Sequence, residues 1–570
     1  MKKRLLSILL AAIMCLTMVP VTALAAEPGH PANGHGDWTN WGDVESEWTE
    51  LPTEAGSYYL THDVTLTDMW TVPAGTVNLC LNGYVIKQTK DNTRVIEVPS
   101  GAMLNLYDCG ATKHDGYIDS TTKLWTADAE DIHSGQADEY DIIGGLITGG
   151  NITNGNGGGG VYVARGSLNM YGGAICGNKA DNEEDLSAGG VSVVEGSFTM
   201  YGGEISGNKA DIAGGVETVD KPFIMYGGKI SRNTALMGGG GGVGAVGDTF
   251  TMTGGEISGN TAMVGGGVML GDEAHFDLIN GTISGNTAML GGGIASDDSS
   301  IKMTGGEISG NTAGMYFGGV YLSAPEEDEV GFTVGKNAVI SNNADSTGAS
   351  NLAIPQGMQI TLATDSDMPI SGMQIGVTLF DGEKLNESGE FVTLSGQFTD
   401  TSAESDMKYF FSDNPAYYVN FVDDEPDYLE LKAPESGNYA INVIPSANGT
   451  VTASAKEAAK DAEITLTVTP DSGYQLKTLT VTDADDGSVL MADNKFTMPD
   501  KGVTVIAEFE EAEEDDNGSA LLHLLRAALV TKLTVCHLLR GVTNSAARIA
   551  KIAAFNATLP VIIARWFWHF

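Results

Sequence analysis

The chain has 570 residues, too many for one simple core, and its 30 Lys and Arg against 74 Asp and Glu give a formal charge of −44, a surface that repels phosphate backbones and argues against nucleic-acid binding. Glycine fills 75 positions, well above the usual ~7% and without an every-third-residue pattern, which excludes collagen and favours a turn-rich repeat. Five cysteines are too few for a disulfide scaffold.

Lys2, Lys3 and Arg4 precede an apolar run from Leu5, and Ala23, Leu24 and Ala25 offer small residues for cleavage. This is the pattern of a secretory signal peptide over residues 1–25, which places the protein outside the cell or on its surface and removes Cys15. Residues 26–57, with Trp38, Trp41 and Trp48, are expected to form an N-terminal cap or linker.

From about Tyr58 a short grammar of alternating apolar residues sets in, and one phrase recurs: "GGAICGNKA" from Gly172, "GGEISGNKA" from Gly202, "GGKISRNTA" from Gly227, "GGEISGNTA" from Gly254 and again from Gly305. Its isoleucines fall at Ile147, Ile175, Ile205, Ile230, Ile257, Ile283, Ile308 and Ile340. A drifting period of this length marks a solenoid with insertions between fixed contact points. No unit holds an amphipathic run long enough for a helix. "FTM" puts two apolar side chains on one face, "EIS" places a single Ile, and "GGGV" delivers a Val after a glycine cluster. Three short strands per unit describe one coil of a parallel β-helix, expected over residues 58–380 as eleven to thirteen coils. Three positions after each Ile from Ile175 onward stands an asparagine: Asn178, Asn208, Asn233, Asn260, Asn286, Asn311 and Asn343. At the ~4.8 Å spacing of stacked strands these amides are expected to form a structural ladder. The residue before the Ile, read as Ala174, Glu204, Lys229, Glu256, Thr282 and Glu307, points outward as a solvated column. Cys80 and Cys109, 29 residues apart, fit neighbouring turns; their spacing leaves a disulfide and two buried thiols as equal readings.

With these motifs in view, the sequence resembles secreted, adhesin-like right-handed parallel β-helix proteins of bacteria, with a pectate-lyase-like fold and "GGxIxGN" coils similar to the repeats of polymorphic-outer-membrane-protein adhesins. The resemblance spans roughly Tyr58 to Lys432 and implies an all-β, single-stranded right-handed parallel β-helix closed by a C-terminal cap over 381–432. A second resemblance covers residues 438–510, where "NGTVTAS", "EITLTVTPDSGYQL" and "FTMPDKGVTVIAEF" look like the small β-rich repeat module of the internalin B-repeat type. Residues 511–570 form an acidic linker and then a basic tail from Leu521 that reads either as a frame-shifted end or as an amphipathic helix on an anionic membrane surface. Its uncharged stretch Ile552 to Ala564 is too short to span a bilayer.

Chemistry is harder to find. A β-helix lyase needs calcium-binding carboxylates on adjacent coils with an Arg or Lys base, yet Arg165 and Arg232 stand in unlike slots. A hydrolase needs paired Asp at set spacing, and "SDDSS" at Ser296 reads better as a polar turn. The glycine clusters lack the Asp of calcium nonapeptides and do not precede helices as phosphate loops do. No catalytic, cofactor or metal residues are therefore assigned. The resulting expectation is a protein that binds or displays through a rigid β-helix, toward a glycan or a surface protein. A polysaccharide lyase or glycoside hydrolase acting on acidic polysaccharide is the rival reading, and a structural rod the third. The insertion loops Ser120 to Tyr140, Asn182 to Ser187 and Pro325 to Gly331 are the candidate contact segments.

Overall fold

The computed structural model describes residues 35–127, 139–153, 157–181, 187–323, 331–385, 391–400, 402–424, 426–485 and 487–512. The signal peptide, Cys15, Cys536, the basic tail, most of two insertion loops and the middle of the third lie outside them. Chain contacts divide the protein into two units, of which Trp38–Glu511 holds every described strand. The other contributes only residues 35–37 and 512 to the description.

The expected parallel β-solenoid is present, with about eleven turns. One coil shows how the phrase folds. Ser197–Met200, Glu204–Ser206, Lys209–Ala210 and Val216–Val219 are four short strands, and each pairs in parallel with the same strand one coil on. Phe198 faces Phe223, Ile205 faces Ile230, and Val216 faces Val243 in exact register of phrase. Stacking the first strand of every coil gives a 12-stranded sheet from Thr39–Trp41 to Ile360–Leu362. The Ile strands and the Val strands form two further stacks, which share the long strand Gln374–Leu385 at their C-terminal end.

Alternation decides what each stack buries. Phe198, Phe223, Phe250 and Phe276 point inward and stack with ring centroids 4.9, 4.8 and 4.6 Å apart. Each fully buried side chain of this size stabilises the fold by about 2–3 kcal/mol. The repeated Ile and Val are equally dry, so one continuous core runs from Leu51 to Leu431. The glycine clusters allow the corner before each Val: a Cβ on Gly190 would stand 2.5 Å from the carbonyl oxygen of Gly215 in the next coil. Close backbone approach, not ligand binding, accounts for that glycine.

At the N-terminal edge, Thr39–Trp41 pairs with Gly56–Leu60 in parallel, and the Trp70 indole N–H donates to Pro52 O at 3.0 Å. At the other end Phe410–Ser412 pairs with Gln374–Leu385, while Tyr418–Val422 and Tyr428–Lys432 make an antiparallel hairpin whose Leu429 and Leu431 join the solenoid core. A small β-rich module follows. Its strands from Asn438–Val443 to Val503–Glu511 form two sheets around a separate core of Ile441, Ile464, Leu466, Val481, Phe496, Met498, Val503 and Val505.

Candidate binding face

The seven asparagines occupy one buried line. Asn178 donates from both its backbone N and its Nδ2 to Oδ1 of Asn208, at 2.9 and 3.1 Å. The same double bond passes to Asn233, Asn260, Asn286, Asn311 and Asn343 in turn. Each Nδ2 also reaches an Ile carbonyl of the preceding coil, as Asn208 does with Ile175 O at 2.8 Å. Two members have no place in the repeat. Asn343 donates to Asn351 at 3.0 Å, and Asn351 donates from N and Nδ2 to the two carboxylate oxygens of Asp413 at 2.8 and 2.5 Å. Since every rung hands on two N–H donors in one direction, the line must end on an acceptor with no N–H of its own to hand on, which a carboxylate is, here taking one donor on each oxygen. Burial nevertheless pushes the Asp413 carboxyl up to about 6, against the pull of the Asn351 and Thr378 donors. This line is structural; the surfaces that can meet a partner lie outside it.

On the Ile stack the residues flanking each Ile point outward. Their register gives one column of Ala174, Glu204, Lys229, Glu256, Thr282 and Glu307 and a second of Cys176, Ser206, Ser231, Ser258, Ser284 and Ser309. The first coils are roofed. Between Gly110 and Gly145 the chain leaves the solenoid, and the described part of this excursion carries the antiparallel pair Gly116–Ile118 and Trp125–Ala127. Trp125 N donates to Gly207 O at 2.9 Å, and its indole N–H donates to Tyr140 O at 2.7 Å. Gly207 has φ +57, and a Cβ there would lie 2.6 Å from Trp125 Cβ, so the glycine of "SGN" is what lets the excursion seat. Ala174 and Ser206 are consequently buried. The column expected to be fully solvated is therefore covered over its first coils.

Where the roof ends, side chains from three segments meet. The Tyr140 hydroxyl donates to the Glu204 carboxylate and lies 3.1 Å from Ser231 Oγ. The Arg232 guanidinium sits 4.3 Å over the Tyr140 ring, a cation–π contact. Burial and the Glu204 charge hold the phenol well above its usual range, so it stays a donor. Arg232 takes the corner that Gly177, Gly207, Gly259, Gly285 and Gly310 fill elsewhere, all at positive φ, and does so at φ 55. A long charged residue at a strained glycine position is a departure from the repeat that the sequence displays as "SRN", and it marks this spot. Beyond it the face is open: Lys229 pairs with Glu256 at 3.6 Å, Ser258 donates to Glu256, and Ser309 donates to Glu307 at 2.6 Å.

Other surfaces went unread in the sequence. On the 12-stranded sheet His275 Nδ1 lies 2.7 Å from Ser300 Oγ and its Nε2 3.1 Å from Asp277, while Lys302 and Lys336 both pair with Asp367 at 2.9 Å. Apart from His275 and Asp277, which share a strand, the partners belong to different coils and share no motif, so register is what brings them together. Met289 and Met315 stand exposed on the paired short strands Thr287–Leu290 and Thr312–Tyr316, and Met263 stands exposed one coil before them, its carbonyl accepting from Met289 N at 3.0 Å. A cleft of about 590 Å³ opens between the solenoid end and the small module, with Asp413, Asn442, Lys477 and Phe509 among its lining. The Cys80 and Cys109 sulfurs are 3.4 Å apart. Arg165 pairs with Glu195 at 2.6 Å, remote in the coil from Arg232. Among the described residues no helix is long and apolar enough to cross a membrane.

Residues 439–513 match the family model of the divergent InlB B-repeat domain, the same strands that close the two-sheet module. Comparison with curated proteins and with solved structures finds no match. The solenoid and the module together make this chain a β-helix repeat protein with a C-terminal B-repeat module.

Proposed function

We propose that the protein acts by binding, holding a glycan or a surface molecule along the outer face of its Ile stack. The observation that carries this reading is the meeting of Tyr140, Glu204, Ser231 and Arg232 at the edge of the roofing excursion. A strained Arg and an aromatic ring there adjoin rigid columns of serine and carboxylate that run on across the following coils. Hydroxyl and carboxylate columns offer acceptors and donors at every coil, and the acidic surface favours a hydroxyl-rich ligand that is neutral or amino-bearing over a polyanion. A binder also needs no reacting geometry, only a face whose side chains are fixed before the ligand arrives.

In this reading residues 1–25 export the chain, 26–57 and 381–432 cover the solenoid ends, and the B-repeat module over 438–510 spaces the solenoid from whatever anchors it. A β-solenoid and a B-repeat domain are compatible with a surface protein; secretion and adhesion are the finer steps proposed here. A glycan-array screen of the purified chain, with absorbance at 235 nm followed in parallel on acidic polysaccharides with and without calcium, tests it. Retention of neutral or amino-bearing glycans without product is the expected result. Unsaturated product would overturn the binding reading in favour of a lyase, and a blank array would leave the face a structural surface.

A further inference from the structure

We infer that Cys80 and Cys109 are a cross-linking site, a disulfide that pins two coils together at the root of the excursion roofing the binding face. Cys80 ends the strand Gly75–Cys80, and Cys109 lies two residues past the strand Ala102–Tyr107 that pairs with it, Cys80 opposite Tyr107. Their sulfurs are 3.4 Å apart, already in contact, so closing to an S–S bond of ~2.05 Å asks for a shift of little more than about 1 Å. The two corners are also locked to each other. Asp108 Oδ1 accepts the Gly83 N–H at 2.8 Å and the Gly110 N–H at 3.2 Å, and a Cβ on Gly110 would stand 2.2 Å from Gly83 N. Rigid, touching backbones therefore hold the sulfurs facing one another.

The two cysteines differ in the way a stepwise oxidation requires. Cys109 is exposed and Cys80 fully buried, so Cys109 is the sulfur that an oxidant meets. The Cys109 thiolate attacks one sulfur of a small-molecule disulfide such as oxidised glutathione and releases one small thiol. Cys80 then gives up its proton, attacks the Cys109 sulfur and expels the second small thiol. Two protein thiols lose two electrons in all, and the small disulfide is reduced to two thiols. Cys176, fully buried on a coil further on, has no cysteine facing it among the described residues and stays reduced.

The test treats the full chain with oxidised glutathione, unfolds it, blocks remaining thiols with N-ethylmaleimide and maps its peptides by mass. Expected is a Cys80–Cys109 linked peptide, with two fewer blocked thiols per chain than before oxidation and full reversal by dithiothreitol. Blocked Cys80 and Cys109 after oxidation, or glutathione left on Cys109 in the wild type, would overturn the inference. Cys80→Ser serves as the second arm: it is expected to trap glutathione on Cys109, and a Cys109 that stays unmodified there would contradict the proposed route. The linked peptide in the wild type is read independently of whether that variant folds.

Discussion

Glu217 is an outward residue that has been covered. It stands between Ser192 and Gly244 on neighbouring coils, is 1% exposed, and its Oε2 has no hydrogen-bond partner among the described residues. Burial alone pushes its carboxyl up to about 8, so it is held neutral at pH 7. Because the folded value lies above the unfolded one, the neutral group's contribution is fully present below the unfolded value near 4.5 and is lost as pH rises through about 8. The loss is on the order of 4–5 kcal/mol. Thermal unfolding at pH 5, 7 and 9 is expected to show the wild type falling from pH 5 to 7 and further to 9 while Glu217→Gln stays level; parallel curves would show that the carboxyl is not buried in solution. Arg232 gives the opposite kind of residue. Replacing it by Gly relieves a positive φ worth about 1 kcal/mol and removes a cation–π contact of similar size. Arg232→Gly should therefore leave the melting temperature within a few degrees while weakening ligand retention at least tenfold; a loss of both would make Arg232 a folding residue only.

At the scale of the element, the asparagine line behaves as one unit with a direction. Asn260 accepts two N–H bonds from Asn233 and donates on to Asn286 and to Ile230 O. Asn260→Ala strands buried donors on one side and an acceptor on the other, a cost of ~3–5 kcal/mol. Hydrogen exchange should quicken in the coils around residues 230–290 and stay slow near the solenoid ends; uniform quickening would mean the whole solenoid melts together. Asp413→Ala leaves both Asn351 donors unanswered and should destabilise by ~2–4 kcal/mol at pH 7, read as a lower melting temperature. Because burial pushes the wild-type carboxyl up to about 6, above its unfolded value, the wild type gains stability as pH falls from 7 to 4 while Asp413→Ala does not, so the difference should widen. Much of this element was readable from sequence, because seven asparagines share one motif and one spacing. Asn351 follows Asn343 by only eight residues and Asp413 lies beyond the repeat; their membership depends on how the last coils turn, which no period encodes.

For the whole molecule, the repeated phrase made the coil legible, since inward Ile, Phe and Val recur with glycine corners between them. The site was not legible in the same way. Tyr140 reaches Glu204 and Ser231 across 64 and 91 residues, and a long insertion carries no period that says where it will land. The one local signal was Arg232 in a glycine's place. Two separate hydrophobic cores, one in the solenoid and one in the B-repeat module, also predict that Phe496→Ala lowers the unfolding of the module by ~3–5 kcal/mol without shifting that of the solenoid, visible as one moved and one fixed transition in calorimetry. Where a ligand sits on the molecule decides whether the outer face of the Ile stack is the binding face. Hydrogen-exchange mass spectrometry of the full chain, with and without a glycan retained on the array, measures that directly. Slowed exchange over 139–141, 204–207, 229–232 and 256–258 is the predicted footprint, and slowed exchange confined to the B-repeat module or to the opposite sheets would contradict it.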